Sequence, residues 1–102
     1  MTEIAITDVP EAKRYEAKIG DEVAGFVEYI LAGSTIVLAH TEVDPAHEGQ
    51  GIGGQLARAV LDDIRSRGDL EVVPTCPFID GWIAKHPDYV DLVTPSMRSK
   101  YS

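Results

Sequence analysis

Residues 48–54 read Glu48-Gly49-Gln50-Gly51-Ile52-Gly53-Gly54, and the spacing of apolar residues changes across them. Before this stretch the period is two. Tyr15, Ala17 and Ile19 alternate with Arg14, Glu16 and Lys18, which predicts a strand with one buried face, and Gly20-Asp21 supplies a turn. Glu22–Leu31 and Thr35–Val43 are rich in β-branched and aromatic residues, and Ala32-Gly33-Ser34 punctuates them as a hairpin. After the stretch, Ile52, Leu56, Ala59, Val60 and Ile64 fall on one side of a helix, with Gly68 fitting its C-terminal stop. Leu70–Val73 reads as a fourth strand stopped by Pro74, and right-handed crossover places it parallel to the strand ending at Val43. Phe78, Ile79, Trp82 and Ile83 then mark a shorter amphipathic helix opened by Pro77, with Phe78 and Trp82 expected in the core. The polar tail from Thr94 to Ser102 is expected to be loose.

The expected fold is therefore α/β of the α+β type. Its mixed, mainly antiparallel sheet has the order β-β-β-α-β-α, with helices packed on it. A length of 102 residues favours one minimal domain over residues 1–102. The formal net charge of −8 argues against general attraction to nucleic acid or anionic membrane. Between Lys18 and Arg58 there is no lysine or arginine, but there are six acidic residues from Asp21 to Glu48. This is a solvated acidic surface or a rim that attracts a cationic substrate. Cys76 is the single cysteine and cannot form an internal disulfide, and the start of the chain lacks the basic and apolar regions of a signal peptide. A cytoplasmic location is the default expectation.

Four glycines among residues 49–54 cost a helix start roughly 1 kcal/mol each relative to alanine, so they need a reason. They permit a sharp turn and close helix–sheet approach. In addition, no Ser, Thr, Asp or Asn stands directly before Ile52 to cap the first free amides, and an anion held on those amides fits the helix dipole. No Lys-Ser or Lys-Thr follows, which excludes the nucleotide-hydrolase phosphate loop. Gly49, Gly51 and Gly54 satisfy a dinucleotide fingerprint, but Asp44-Pro45-Ala46-His47-Glu48 separates them from the strand and an antiparallel meander precedes.

The combination of His40-Thr41-Glu42-Val43, Gly49-Gln50-Gly51-Ile52-Gly53, Cys76-Pro77-Phe78 and His86-Pro87 resembles the small single-domain N-acetyltransferases of the GNAT superfamily, from about Tyr15 to Tyr89. The resemblance implies acetyl-coenzyme A as acyl donor, with pyrophosphate on the amides of Gly49, Gln50, Gly51, Ile52, Gly53 and Gly54. It also implies a splayed strand whose Glu42-Val43 backbone pairs with pantetheine, and an amine acceptor, small or protein-borne, at an open site. Glu48 stands where the family pattern has arginine or glutamine, and the general-acid tyrosine of larger relatives has no counterpart. An acyl-coenzyme A binding module with little catalysis is the second reading.

For the chemistry, His40 and Glu42 lie two apart on a strand and share a face, so either can take a proton from an ammonium. They also suit a hydrogen-bonded pair at a sheet edge. Cys76, at the N-cap of the second helix, is an acyl-accepting nucleophile, a proton donor to the leaving thiolate, or a small packed residue. Lys85 and His86 either complement the helix dipole or reach the adenosine phosphate. No metal-ligand spacing is present.

Overall fold

The computed structural model describes residues 3–101. Five strands form one sheet in the order β1-β2-β3-β4-β5: β1 (Ala5–Val9), β2 (Arg14–Ile19), β3 (Glu22–Ala32), β4 (Thr35–Val43) and β5 (Glu71–Pro74). The first four pair antiparallel, and β5 runs parallel to β4 as the crossover rule requires. Helix α1 (Ile52–Arg67) supplies the crossover, and α2 (Pro77–Lys85) follows β5. The expected mixed sheet and its order are borne out, with one strand added at the front.

That strand, β1, escapes the sequence pattern because Asp8 takes the third apolar position after Ile4 and Ile6. In the fold Asp8 accepts a 2.6 Å hydrogen bond from the Tyr29 hydroxyl, which makes a carboxylate tolerable there. The tail is likewise ordered rather than loose. Pro95–Tyr101 forms a 3₁₀ helix, Tyr101 donates to Asp80 at 2.5 Å and Lys100 lies 2.9 Å from the same carboxylate. Ser102 lies outside the described residues.

Both helices lie on one face of the sheet. Ile52, Leu56, Ala57, Val60, Leu61 and Ile64 of α1 are buried against Val27, Tyr29, Ile36, Leu38 and Val72 of the strands. Each large aliphatic side chain so buried contributes roughly 1.5–3 kcal/mol. Gly68 adopts φ +74° and ends α1 through a bond from its amide to the Ile64 carbonyl, as expected. The opposite face carries Arg14, Phe26, Glu28, His40 and Glu42, by alternation from the strand register. Among the described residues no helix is long and apolar enough to cross a membrane.

One irregularity positions the site. Between β3 and β4 the register shifts at Glu28/Tyr29, so that Glu28 faces His40 while Tyr29 faces Leu38 and Ala39 is the extra residue. Ile36 and Leu38 point into the core before the bulge. Past it, Thr41 and Val43 take the core side, and His40 and Glu42 are turned to the open face.

Candidate active site

The parallel ladder between β4 and β5 ends at the pair Leu38 and Pro74. Pro74 has no amide to continue it, and the chain then turns away with the Cys76 amide (3.0 Å) and the Thr75 hydroxyl (3.3 Å) both donating to the Leu38 carbonyl. From Ala39 to Val43, β4 has no strand on that side among the described residues. Because the Asp44 amide donates to the Ala24 carbonyl at 2.8 Å, alternation points the main-chain groups of His40 and Glu42 toward β3 and those of Thr41 and Val43 toward the open edge. The splay expected of β4 is present, but the Glu42 main chain is engaged toward β3, so Thr41 and Val43, rather than Glu42 and Val43, carry the free edge.

The glycine stretch lies beyond this edge. Asp44 accepts from the Ala46 amide and closes a 3₁₀ turn over Pro45–His47, and His47 reaches Glu22 at 3.2 Å. Gly49 and Gly51 then adopt φ +85° and +74°, the left-handed conformation that leads into α1. No side chain caps α1, and its first internal hydrogen bond is from the Gln55 amide to the Gly51 carbonyl. The amides of Ile52, Gly53 and Gly54 therefore precede the helical ladder, at the positive end of the dipole. Ile52 is 1% exposed as a whole residue, so its side chain packs in the core and its amide, expected to meet a ligand, is covered as well. Gln50 and Glu48 are exposed.

Phe78 departs from expectation: it is 44% exposed rather than core. A Cβ at Gly53 would come within 2.9 Å of its Cζ, so the ring lies directly over the helix start. Phe78, Gly81, Trp82 and Lys85 line a groove of about 240 Å³ beside it. Trp82 is half-buried, stacked on the His86 ring at 3.7 Å. His86 Nδ1 donates to the Trp82 carbonyl at 2.7 Å, which fixes its tautomer and leaves Nε2 as the ring's other group. Lys85 is thus brought to the groove, and His86 is held against its wall.

His40 Nε2 and Glu42 Oε1 lie 3.5 Å apart, both exposed. Cys76 is not with them. It is 4% exposed, on the core side, and its Sγ donates to Thr41 Oγ1 at 3.4 Å. Thr41 and Glu42 are consecutive on a strand, so the thiol and the carboxylate flank β4 from opposite faces at its open edge. The N-cap position expected for Cys76 is observed, with α2 opening at Pro77. Thr41 was not evident from the sequence, since it gains a role only from the partner 35 residues away. Among the described residues no group of three or more potential metal ligands exists.

Comparisons with known proteins bear on the family and the fold. The family model described as GCN5-related N-acetyl-transferase matches residues 14–92. The mouse and human proteins called Protein NATD1 are each 37% identical over 70 residues, 66% of this chain and 63% and 61% of their own lengths. The Xenopus tropicalis protein of the same name is 32% identical over 77 residues, covering 74% and 69%. The chain thus spans less than two thirds of the mouse and human relatives. Among solved structures, the ribosomal-protein-S18-alanine N-acetyltransferase of Escherichia coli shares the fold with a TM-score of 0.57 and 15% identity, over 72% of this chain and 66% of that one. The chain belongs to the GCN5-related N-acetyltransferase family.

Proposed function

We propose that the chain binds acetyl-coenzyme A and transfers its acetyl group to an amine. The observation that carries this reading is an uncapped helix N-terminus built on glycines beside a strand edge open from Ala39 to Val43. The amides of Gly49, Gln50, Gly51, Gly53 and Gly54 would hold the pyrophosphate, the main chain of Thr41 and Val43 would pair with the pantetheine arm, and Lys85 would meet the adenosine phosphate, with His86 beside it. An exposed Glu48 is free to turn to solvent, away from the phosphates.

Bound acetyl-coenzyme A supplies an acyl group activated as a thioester. The amine attacks only when neutral, and the exposed His40 and Glu42 take its proton directly or through water. Cys76 holds a proton on Sγ at the other side of the same strand and serves as the source for the leaving sulfur. Acidic residues between Lys18 and Arg58 draw the ammonium form of the acceptor toward this edge.

A thermal-shift titration tests the cofactor. Ligand at a hundred times its dissociation constant stabilises by about 2.7 kcal/mol, and absence of any shift with coenzyme A or acetyl-coenzyme A overturns the reading. Thiol release over a panel of amines tests transfer. Binding without turnover above spontaneous hydrolysis would favour the second reading, an acyl-coenzyme A binding module, which the separation of Cys76 from His40 and Glu42 by the sheet supports.

A further inference from the structure

A second cavity, of about 360 Å³, is separate from the glycine stretch and the α2 groove. Its lining includes Arg14 from β2, Phe26 from β3, and Glu42 and Asp44 at the end of β4. Glu16, Phe26 and Glu42 are register partners across three adjacent strands, so they form one row on the sheet face that no helix covers. Arg14, two residues before Glu16 on β2 and opposite Glu28, leans over this row with its guanidinium carbon 4.4 Å from the Phe26 ring centroid.

Arg14 is held there by a costly device. Glu16 is 8% exposed, the one buried charged residue described, and its Oε2 accepts from Arg14 Nε at 2.8 Å and lies 2.8 Å from Nη2. A buried ion pair contributes little net stability compared with an apolar pair of the same volume. What it does provide is a guanidinium fixed over an aromatic ring, with Nη1 left without a partner among the described residues. The cavity therefore sets the Arg14 guanidinium, paired with Glu16 but with Nη1 open, at one end and the carboxylates of Glu42 and Asp44 at the other.

We propose that this cavity is the acceptor pocket and that it selects amines that also carry a carboxylate. The ammonium end meets Glu42, beside the open edge of β4, and the carboxylate is bound by Arg14 Nη1. A diamine of the same length would set its second charge against the guanidinium, and an alkylamine would leave it unpaired. The selection rests on the acetyl-transfer reading for its purpose, although the binding site itself can be tested without turnover.

Beta-alanine, n-propylamine and trimethylenediamine share a chain length and differ only in bearing a carboxylate, a methyl or a second ammonium. Each is titrated into isotopically labelled protein, with and without coenzyme A, following the Arg14 side-chain signal and the amides of Phe26 and Glu42. The expected result is that beta-alanine binds at least about tenfold more tightly than the other two and shifts those signals. In Arg14→Gln the preference falls to within about twofold, and the double variant Arg14→Gln with Glu16→Gln, which leaves no unpaired buried carboxylate, behaves the same way while the coenzyme A affinity is unchanged. Equal or tighter binding of the diamine, shifts confined to another surface, no binding by any of the three, or a preference that survives in both variants overturns the proposal. Failure of coenzyme A to bind while the amines behave as expected would instead overturn the acetyl-transfer reading and leave the pocket assigned.

Discussion

The space that a Cβ at Gly25 would need is held by the main-chain carbonyl of Glu42, 2.9 Å away across the β3–β4 pair. Leu56 and Ile52 of α1 close the remaining sides at 3.2 and 3.3 Å. This absence of a side chain lets α1 sit against β3, next to the strand whose edge stays open, and so places the helix start beside Val43, the register partner of Gly25.

Gly25→Ala is therefore expected to destabilise the fold by about 1–3 kcal/mol, because backbone and packed core must both shift. Gly81 in α2 is the control: nothing lies within 4 Å of its Cβ position, and Gly81→Ala should stabilise by about 1 kcal/mol through helix propensity alone. Urea unfolding of the two variants beside the parent decides both signs.

Gly51 has an open Cβ position but a φ of +74°. Alanine there costs roughly 1–2 kcal/mol of backbone strain, which relaxes by rotating the peptide that leads into α1. The expected outcome of Gly51→Ala is a loss of coenzyme A affinity of at least about tenfold, measured calorimetrically, with the melting temperature lowered by only a few degrees. Unchanged affinity would remove the anion role from the glycine stretch.

Much of this arrangement is legible in the chain because it depends on local pattern. The period of α1, its glycine stop, the β3–β4 hairpin and the uncapped Gly51–Ile52 start all follow from neighbours within a few residues. What depends on pairing is not legible. His40 and Glu42 share a face by alternation, but which face is decided by the single extra residue Ala39, and a uniform period would have set them beside Ile36 and Leu38 in the core. Phe78 has the spacing of a core residue, and only the approach of α2 to Gly53 shows that its ring covers the helix start instead. Strand β1 is hidden by Asp8, whose partner Tyr29 lies 21 residues away.

Separation of Cys76 from the His40–Glu42 pair gives each a distinct kinetic signature. Cys76→Ser keeps size and donor capacity but binds its proton more firmly, and turnover should fall at least about a hundredfold with coenzyme A affinity retained. Glu42→Gln should lower turnover by a similar factor. Its defect should shrink with acceptor amines that are largely neutral at the assay pH, whereas the cysteine defect should not. Turnover unchanged in Cys76→Ser would return that thiol to the packing role its 4% exposure also suits.

All four tyrosines are tied to carboxylates: Tyr15 to Asp63, Tyr29 to Asp8, Tyr89 to Asp62 and Tyr101 to Asp80. Burial and then the accepting carboxylate push Tyr29 from an ordinary 10.0 to about 12, while Tyr15 and Tyr101 are raised further by the same causes. For Tyr89 the Asp62 hydrogen bond is the larger cause of an upward shift. A phenol raised in the folded state contributes stability that is whole below its unfolded value and is lost as pH climbs through the folded one. Stability should thus hold to about pH 10 and fall steeply between about 10 and 12. Tyrosinate absorbance in that window should rise together with loss of far-ultraviolet circular dichroism, as one transition. Tyr29→Phe leaves Asp8 without its donor, and should lower stability at neutral pH by about 1–3 kcal/mol while making the alkaline fall shallower. Tyrosinate appearing near pH 10 with the fold intact would show that the hydroxyls are not held by these carboxylates.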